Sequence, residues 1–404
     1  MRHRVMKKPV GRIMDRERLW TRDFIILSGI NFLIFLTHFI LMVTMAAYAV
    51  DRFSVSTKMA GLATGVFILG ALIGRAGVGR IIEDIGSKKL LTFSTVFFVV
   101  TSGLYFFAAD LPLLILIRFF HGVTFGMAGT ATGTLVAQII PGSRRGEGIG
   151  YYSMGAIVAV AIGPFAGLFL MESGHYRMLF LFTTLLAACG FAFSFGVRAP
   201  LLSKTQINPL AARKGFHMAN YLEFKAVPVS LVTLVIGFCY SGVLTFVSLY
   251  TKQNQLSDAA GFFFLVYAGT VFVSRPFSGR LFDLKGANFV VYPCLFLFAA
   301  GMLLFSLSDS AWKLLAAGAV MGLGYGNFIS CANAIALKGL PPSRLGMATS
   351  TFFIFVDFGF GVGPYVLGAL APLLGYRGLF LMLSCVILAT VPLYSSLYGK
   401  KAIS

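Results

Sequence analysis

One carboxylate in this sequence stands where charge is expensive. Of the 14 Asp and Glu residues, all but Asp357 fall at the ends of apolar runs or between them; Asp357 sits mid-run in Phe353-Ile354-Phe355-Val356-Asp357-Phe358-Gly359. An isolated carboxylate in apolar surroundings is protonated or paired. Asp357 therefore reads as a proton carrier or a counter-charge to a bound cationic group. The alternative is a neutral, hydrogen-bonded acid that steadies its helix or marks a hinge beside Gly359 and Gly361. A second costly charge is Arg118, in Arg118-Phe119-Phe120-His121-Gly122. A buried arginine either faces a cavity or partner, or caps carbonyls between helices. His121 follows at i+3 on the same helical face, and imidazole titrates near neutral pH; it is either a working group or a packed histidine.

Other polar side chains in the apolar runs are sparse. Asn31 and His38 lie seven apart on one helical face with Phe35 between them; a later run carries Tyr240, Ser241 and Thr245, and another Asn327, Ser330 and Asn333. Singly, each is an ordinary inter-helix hydrogen bond. With Phe125 and Phe246 they suggest a mainly apolar pocket with few polar anchors, suited to a small molecule. No P-loop, Ser/His/Asp set, zinc spacing or carboxylate pair is present, so the sequence implies no enzyme, no cofactor, no metal and no ATP-driven step. The five cysteines, Cys189, Cys239, Cys294, Cys331 and Cys385, fall in apolar runs without ligand spacing and read as packing residues.

The elements that must position these residues follow from composition. With 58% apolar residues, 12% charged and a mean hydropathy of +0.86, the solvent must be a lipid bilayer. A helical crossing needs about 20 mostly apolar residues. Twelve such runs are predicted, at 24–49, 59–80, 89–109, 111–140, 148–172, 177–197, 227–250, 259–280, 288–308, 311–337, 345–371 and 377–398, an all-α integral membrane fold. The first is about 26 residues long with no small-residue cleavage site, so it reads as a retained span rather than a signal peptide. The net charge of +19 is one-sided. If the N-terminus is cytoplasmic, 26 of the 33 Lys and Arg residues lie inside, 6 outside and one, Arg118, within the membrane. The charge thus reports topology, not nucleic acid, because it flanks helices without interleaved aromatics. The predicted organisation is a basic cytoplasmic N-terminus (1–23), a six-helix bundle (24–197), a cytoplasmic linker (198–226), a second six-helix bundle (227–398) and a cytoplasmic tail (399–404).

The two bundles are copies. An offset of 200 residues aligns Arg75, Gly79, Arg80, Glu83 and Gly86 with Arg275, Gly279, Arg280, Asp283 and Gly286; it also aligns Gly122 and Gly126 with Gly322 and Gly326, and Gly163-Pro164 with Gly363-Pro364. Six helices per copy preserve orientation, so the repeats are parallel, with a site between them near mid-bilayer. In the loop set, glycine permits a close helix approach, and the acid accepts charge-assisted hydrogen bonds from arginine and helix N-termini on the cytoplasmic face. These residues form a cytoplasmic gate, or else Arg75, Arg80, Lys88 and Lys89 are static topology signals.

Twelve helices, the duplicated G-R-[IL]-x-[ED]-x-x-G loops and the proline element resemble the twelve-helix drug:proton antiporter branch of the major facilitator superfamily, over essentially the whole chain. In the first loop Glu83 stands where that family usually has Asp, and Asp84 where it usually has a base. Arg118-Phe119-Phe120-His121-Gly122 resembles its second motif, whose intramembrane arginine is linked to proton coupling. Gly155 with Gly163-Pro164-Phe165-Ala166-Gly167 resembles its antiporter motif, Leu168 replacing a usual glycine; the bland reading is helix packing around a proline bend. The resemblance implies a cavity lined by helices 1, 4, 7 and 10 and proton-coupled efflux by alternating access, with Arg118 tied to the coupling; the chemistry of Asp357 and His121 adds them as coupling candidates. It implies a multi-pass protein of the inner (plasma) membrane that acts as a monomer on protons and a small molecule. Arg118 and His121 bias the cavity positive, which suits neutral, anionic or zwitterionic amphiphiles better than simple cations. Proton-coupled uptake of a sugar or metabolite, and lipid flipping, are the competing readings.

Overall fold

The computed structural model describes residues 18–141, 145–172, 176–198, 222–340 and 345–400, with side chains at 79–84, 145–147, 150, 157, 172, 283, 345 and 346 outside the description. The expected linker falls largely outside it, as do the N-terminal segment before residue 18 and the last four residues. The helices are α1 (Arg22–Phe53), α2 (Thr57–Ile85), α3 (Ser87–Gly103), α4 (Leu111–Ile139), α5 (Arg145–Glu172), α6 (Tyr176–Gly196), α7 (Val227–Gln253), α8 (Ser257–Lys285), α9 (Ala287–Ser306) and α10 (Ala311–Leu337). The last stretch, Leu345–Tyr394, has 50 residues, more than twice what a bilayer requires. It breaks at Gly375, with φ 65° and ψ 166°, into α11 (345–374) and α12 (376–394), giving twelve crossings. Below, the near face is the side where α1 begins and α2 ends; the far face is the opposite side.

Local chemistry sets the helix ends. Thr21 caps α1 by accepting from Phe24 N at 3.3 Å, and Asp110 caps α4 by accepting from Leu113 N at 2.9 Å. Gly86 (φ 89°) and Gly286 (φ 84°) form the tight near-face turns before α3 and α9. This backbone region favours glycine, so one physical demand accounts for the repeated glycine ending both loop motifs. Lys88 points its ammonium at the Ser194 carbonyl and, at 2.6 Å, the Val197 carbonyl, neutralising the C-terminal end of α6.

Small residues fix how α2 and α4 cross. A Cβ on Gly122 or Gly126 would collide with the Phe67 or Ala71 carbonyl, and one on Gly70 or Gly74 with the Phe119 or Val123 carbonyl, so the backbones touch at two GxxxG stripes. The repeat reproduces part of this, Gly322 lying on the Tyr267 carbonyl. In α10 that region, Gly322–Gly326, is a single π-turn, which the sequence reading did not anticipate. By contrast, a Cβ on Gly279 would meet nothing within 4 Å, so the close approach expected of the loop glycine occurs farther along the helices. Cys239, Cys294 and Cys331 are buried, whereas Cys189 and Cys385 are exposed on the bundle surface. Gly122→Ala is expected to cost about 1–3 kcal/mol through overpacking against rigid backbone. The check is thermal unfolding in detergent, and an unchanged melting temperature would show that the helices can yield.

The buried apolar residues fall into clusters built by α1–α6 and a large one built by α7–α12, which Met42, Val43 and Leu168 join from the first half near the far face. There α2 meets α11, the Gly61 and Gly65 positions abutting the Pro364 and Gly361 carbonyls, and Thr57 Oγ1 donates to the Gly368 carbonyl at 2.7 Å. On the opposite edge α5 meets α8, with the Phe165 and Phe262 rings 5.6 Å apart. Between them, Ser248 of α7 donates to the Val43 carbonyl of α1 at 3.1 Å, and Lys252 pairs with Asp51 at 3.0 Å. The halves are thus joined at the far face.

Candidate functional site

Asp357 is paired. Its carboxylate forms an ion pair with Arg75, a residue of the opposite half. Arg75 lies ten residues from the near-face end of α2, and Asp357 twelve residues into α11, so at 1.5 Å per residue both sit roughly 15–18 Å deep, close to mid-membrane. Asp357 is 15% exposed and Arg75 34%, so the carboxylate is well shielded and the guanidinium is partly open.

Arg75 also links Asp357 to the wall of the first half. Its guanidinium lies over the Phe125 ring at 5.9 Å. Phe125 packs against Phe35 at 5.3 Å, His38 at 5.0 Å and Phe67 at 5.2 Å, and His38 stacks on Phe67 at 4.7 Å. Three residues expected in the pocket, Phe35, His38 and Phe125, therefore gather beside the ion pair. Asn31 lies one layer away, where the Tyr152 hydroxyl sits 3.0 Å from its Oδ1 and 2.9 Å from Thr132 Oγ1.

Arg118 faces inward within its own half. It is fully buried, donating to the Ala63 carbonyl at 3.1 Å, the Thr64 carbonyl at 3.3 Å and the Tyr105 hydroxyl at 3.3 Å, with its guanidinium 4.6 Å from the Phe67 ring centre. His121 is held between Tyr105 OH, 3.0 Å from Nδ1, and Ser102 Oγ, 3.2 Å from Nε2. Arg118 and His121 thus share Tyr105 and tie α2, α3 and α4 together. Among the described residues, the Phe67, His38 and Phe125 rings connect them towards Arg75 and Asp357. Tyr105, Ser102, Phe67 and Tyr152 were missed in the sequence, where their one signal was a polar or aromatic side chain facing an already suspected neighbour.

The second half holds the remaining candidates. Tyr240 stacks on Tyr325 at 3.9 Å and lies 6.2 Å from Phe360, on the helix that carries Asp357. Phe246 packs against Tyr376 at 6.1 Å, and Thr245 is buried beside it in sequence. Asn327 receives a hydrogen bond from Ser278 at 2.8 Å and donates to Ser274 at 2.8 Å, while Ser330 accepts from Arg275 at 2.5 Å. Asn333 is half-buried one turn farther on. Of the expected gate residues, Arg75 joins Asp357, Arg275 joins Ser330, Gly86 and Gly286 form turns, and Arg280 is exposed. Gly79, Arg80, Glu83 and Asp283 have side chains outside the described residues. In the proline element, Gly155, Gly163 and Gly167 each press on α1, at Phe32, Phe39 and Ile40, around the intrahelical Pro164.

Twelve crossings in two pseudo-repeated halves, joined at one face and bridged at mid-depth by an ion pair, define a transporter rather than an enzyme. The Major Facilitator Superfamily model matches residues 27–312 and 257–401, and the chain belongs to that superfamily. It is 23% identical, over 90% of its length and 92% of the relative's, to an uncharacterized MFS-type transporter of Methanocaldococcus jannaschii. It is 25% identical, over 80% of its length and 81% of the relative's, to the multi-drug resistance efflux pump PmrA of Streptococcus pneumoniae. Among solved structures it is similar to a bacterial homolog of the human lysosomal transporter Spinster in an inward-facing, unoccupied conformation. The TM-score is 0.73 at 16% identity, covering 95% of this chain and 96% of that one, a likeness of fold.

Proposed function

We propose that the chain is a proton-coupled exporter of a small amphiphile, acting as a monomer in the inner (plasma) membrane with its near face cytoplasmic. The observation that carries this reading is the Arg75–Asp357 ion pair, a shielded carboxylate bound to a cation of the other half. Protonation and the pair are mutually exclusive, because a neutral carboxyl no longer offsets the guanidinium. A proton therefore shifts the population between conformers in which Arg75 and Asp357 do and do not meet. The contacts at the far face would part when the transporter opens outward, and Thr57–Gly368, Ser248–Val43 and Asp51–Lys252 are among the polar ones to break. The orientation follows from the excess of Lys and Arg at the near face, and the efflux direction from the likeness to PmrA and the Gly155/Gly163-Pro164/Gly167 element.

The test uses purified protein in liposomes with an internal pH dye and an imposed gradient, screening lipophilic cations, neutral drugs, sugars and zwitterions. Proton movement opposite to substrate flux is the expected result. Movement in the same direction would replace export by uptake, and substrate flux without proton movement would leave facilitation or flipping.

A further inference from the structure

The repeat is broken at one chemically telling position. The α2–α11 interface and the α8–α5 interface are equivalent under the 200-residue offset: Gly61 lies on Pro364 and Tyr365, and Gly261 lies on Phe165. Arg75 and Arg275 are likewise equivalent. The same shift carries Asp357 onto position 157, which is isoleucine. The first arginine has an acid from the opposite half, while the sequence supplies none at the matching place for the second.

The structure shows what Arg275 does instead. It lies ten residues from the near-face end of α8, roughly 15 Å deep, and is half-buried. Among the described residues the one hydrogen-bond partner of its side chain is the neutral Ser330 hydroxyl, at 2.5 Å, and no carboxylate pairs with it. A guanidinium carries five N–H donors, and among the described residues Ser330 engages only one of its nitrogens. Holding such a cation at this depth without a counter-charge is costly. It lines a cavity of about 200 Å³ with Ser278, Ser330, Phe282 and Cys331. The Ser278 hydroxyl is committed to Asn327. The Ser330 hydroxyl accepts from Arg275 and donates only weakly, at 3.5 Å, to the Gly326 carbonyl, so its proton can turn towards a solute.

We propose that this cavity between α8 and α10 is a subsite for the anionic head of the transported molecule. Arg275 binds a carboxylate through paired N–H donors, Ser330 adds a hydroxyl, and Phe282 and Cys331 receive the apolar part. A planar anion suits the fork geometry of arginine, and its charge takes the place that Asp357 fills for Arg75. The proposal rests on the export reading only for calling the ligand a substrate. Binding is measured without a gradient, so a failure of coupling and a failure of this site give different results.

The experiment measures equilibrium binding of dansylglycine and of uncharged dansylglycinamide to the purified full-length protein in neutral nanodiscs, by dansyl fluorescence. Wild type is expected to prefer the carboxylate by about tenfold, the scale of one charge-assisted contact. Arg275→Gln should erase that preference while leaving the amide within about twofold. Arg275→Lys should keep part of it, since charge remains but the fork is lost. Absence of a preference in wild type overturns the proposal, as does an equal loss of both probes in Arg275→Gln, which would make Arg275 structural. A wild-type preference that disappears when the nanodiscs contain phosphatidylglycerol would assign the anion site to a lipid headgroup and overturn it as a substrate site. A preference lost in Arg275→Gln, alongside no proton movement in the liposome assay, would uphold the subsite and reject proton coupling.

Discussion

Asp357→Asn is expected to uncouple transport from protons while leaving the protein folded and inserted. Asparagine keeps the volume and a carbonyl oxygen for Arg75, but it neither carries the charge nor takes up the proton. With one partner neutralised, the remaining charge is uncompensated; for a pair in which Arg75 is 34% exposed we expect a loss of about 1–3 kcal/mol, below the value for fully buried pairs. A shift of that size changes a conformational equilibrium by about five- to 150-fold. Substrate-evoked pH change in liposomes should fall at least tenfold, and the residual substrate flux should become insensitive to external pH. Arg75→Gln should impair transport as well. The double variant, Arg75→Gln with Asp357→Asn, should recover the stability lost in either single variant without recovering coupling, because it removes the stranded charge but supplies no titrating group. Coupled transport at wild-type level in Asp357→Asn would exclude the ion pair as the proton site.

Arg118→Ala should have the largest effect on stability. The substitution withdraws a fully buried guanidinium from the Ala63 and Thr64 carbonyls and the Tyr105 hydroxyl. It also opens a void beside Phe67, where the ring loses its cation. Each hydrogen bond lost from a charged donor costs about 1.5–3 kcal/mol, so three lost together should lower the melting temperature in detergent well below that of Asp357→Asn. Arg118→Lys should recover only part, since one ammonium cannot span three acceptors on two helices. A variant that melts like wild type yet loses proton coupling would instead assign Arg118 directly to the proton path. Melting temperature and pH-dependent flux, measured on the same preparations, separate these roles.

The twelve crossings were legible because a bilayer of fixed thickness, with no water to satisfy the backbone, demands apolar helices of nearly fixed length. The duplication was legible because loop glycines recur where the turn needs a positive φ, at Gly86 and Gly286. Asp357 stood out because few acids tolerate that depth. Tertiary structure alone decided its partner: Arg75, 282 residues away, which the sequence placed among gate or topology residues. Tertiary structure also turned Arg118 and His121 onto Tyr105, inside the first half, and gave Arg275 a serine for its partner. The reason is physical. Apolar run length fixes that a helix crosses the membrane, whereas its rotation and depth against a neighbour are set by carbonyl-to-glycine contacts such as Phe67 on Gly122 and Pro364 on Gly61. A one-residue change in that register turns a side chain about 100° around its helix, so the pairing of charges across the halves is determined only when they pack.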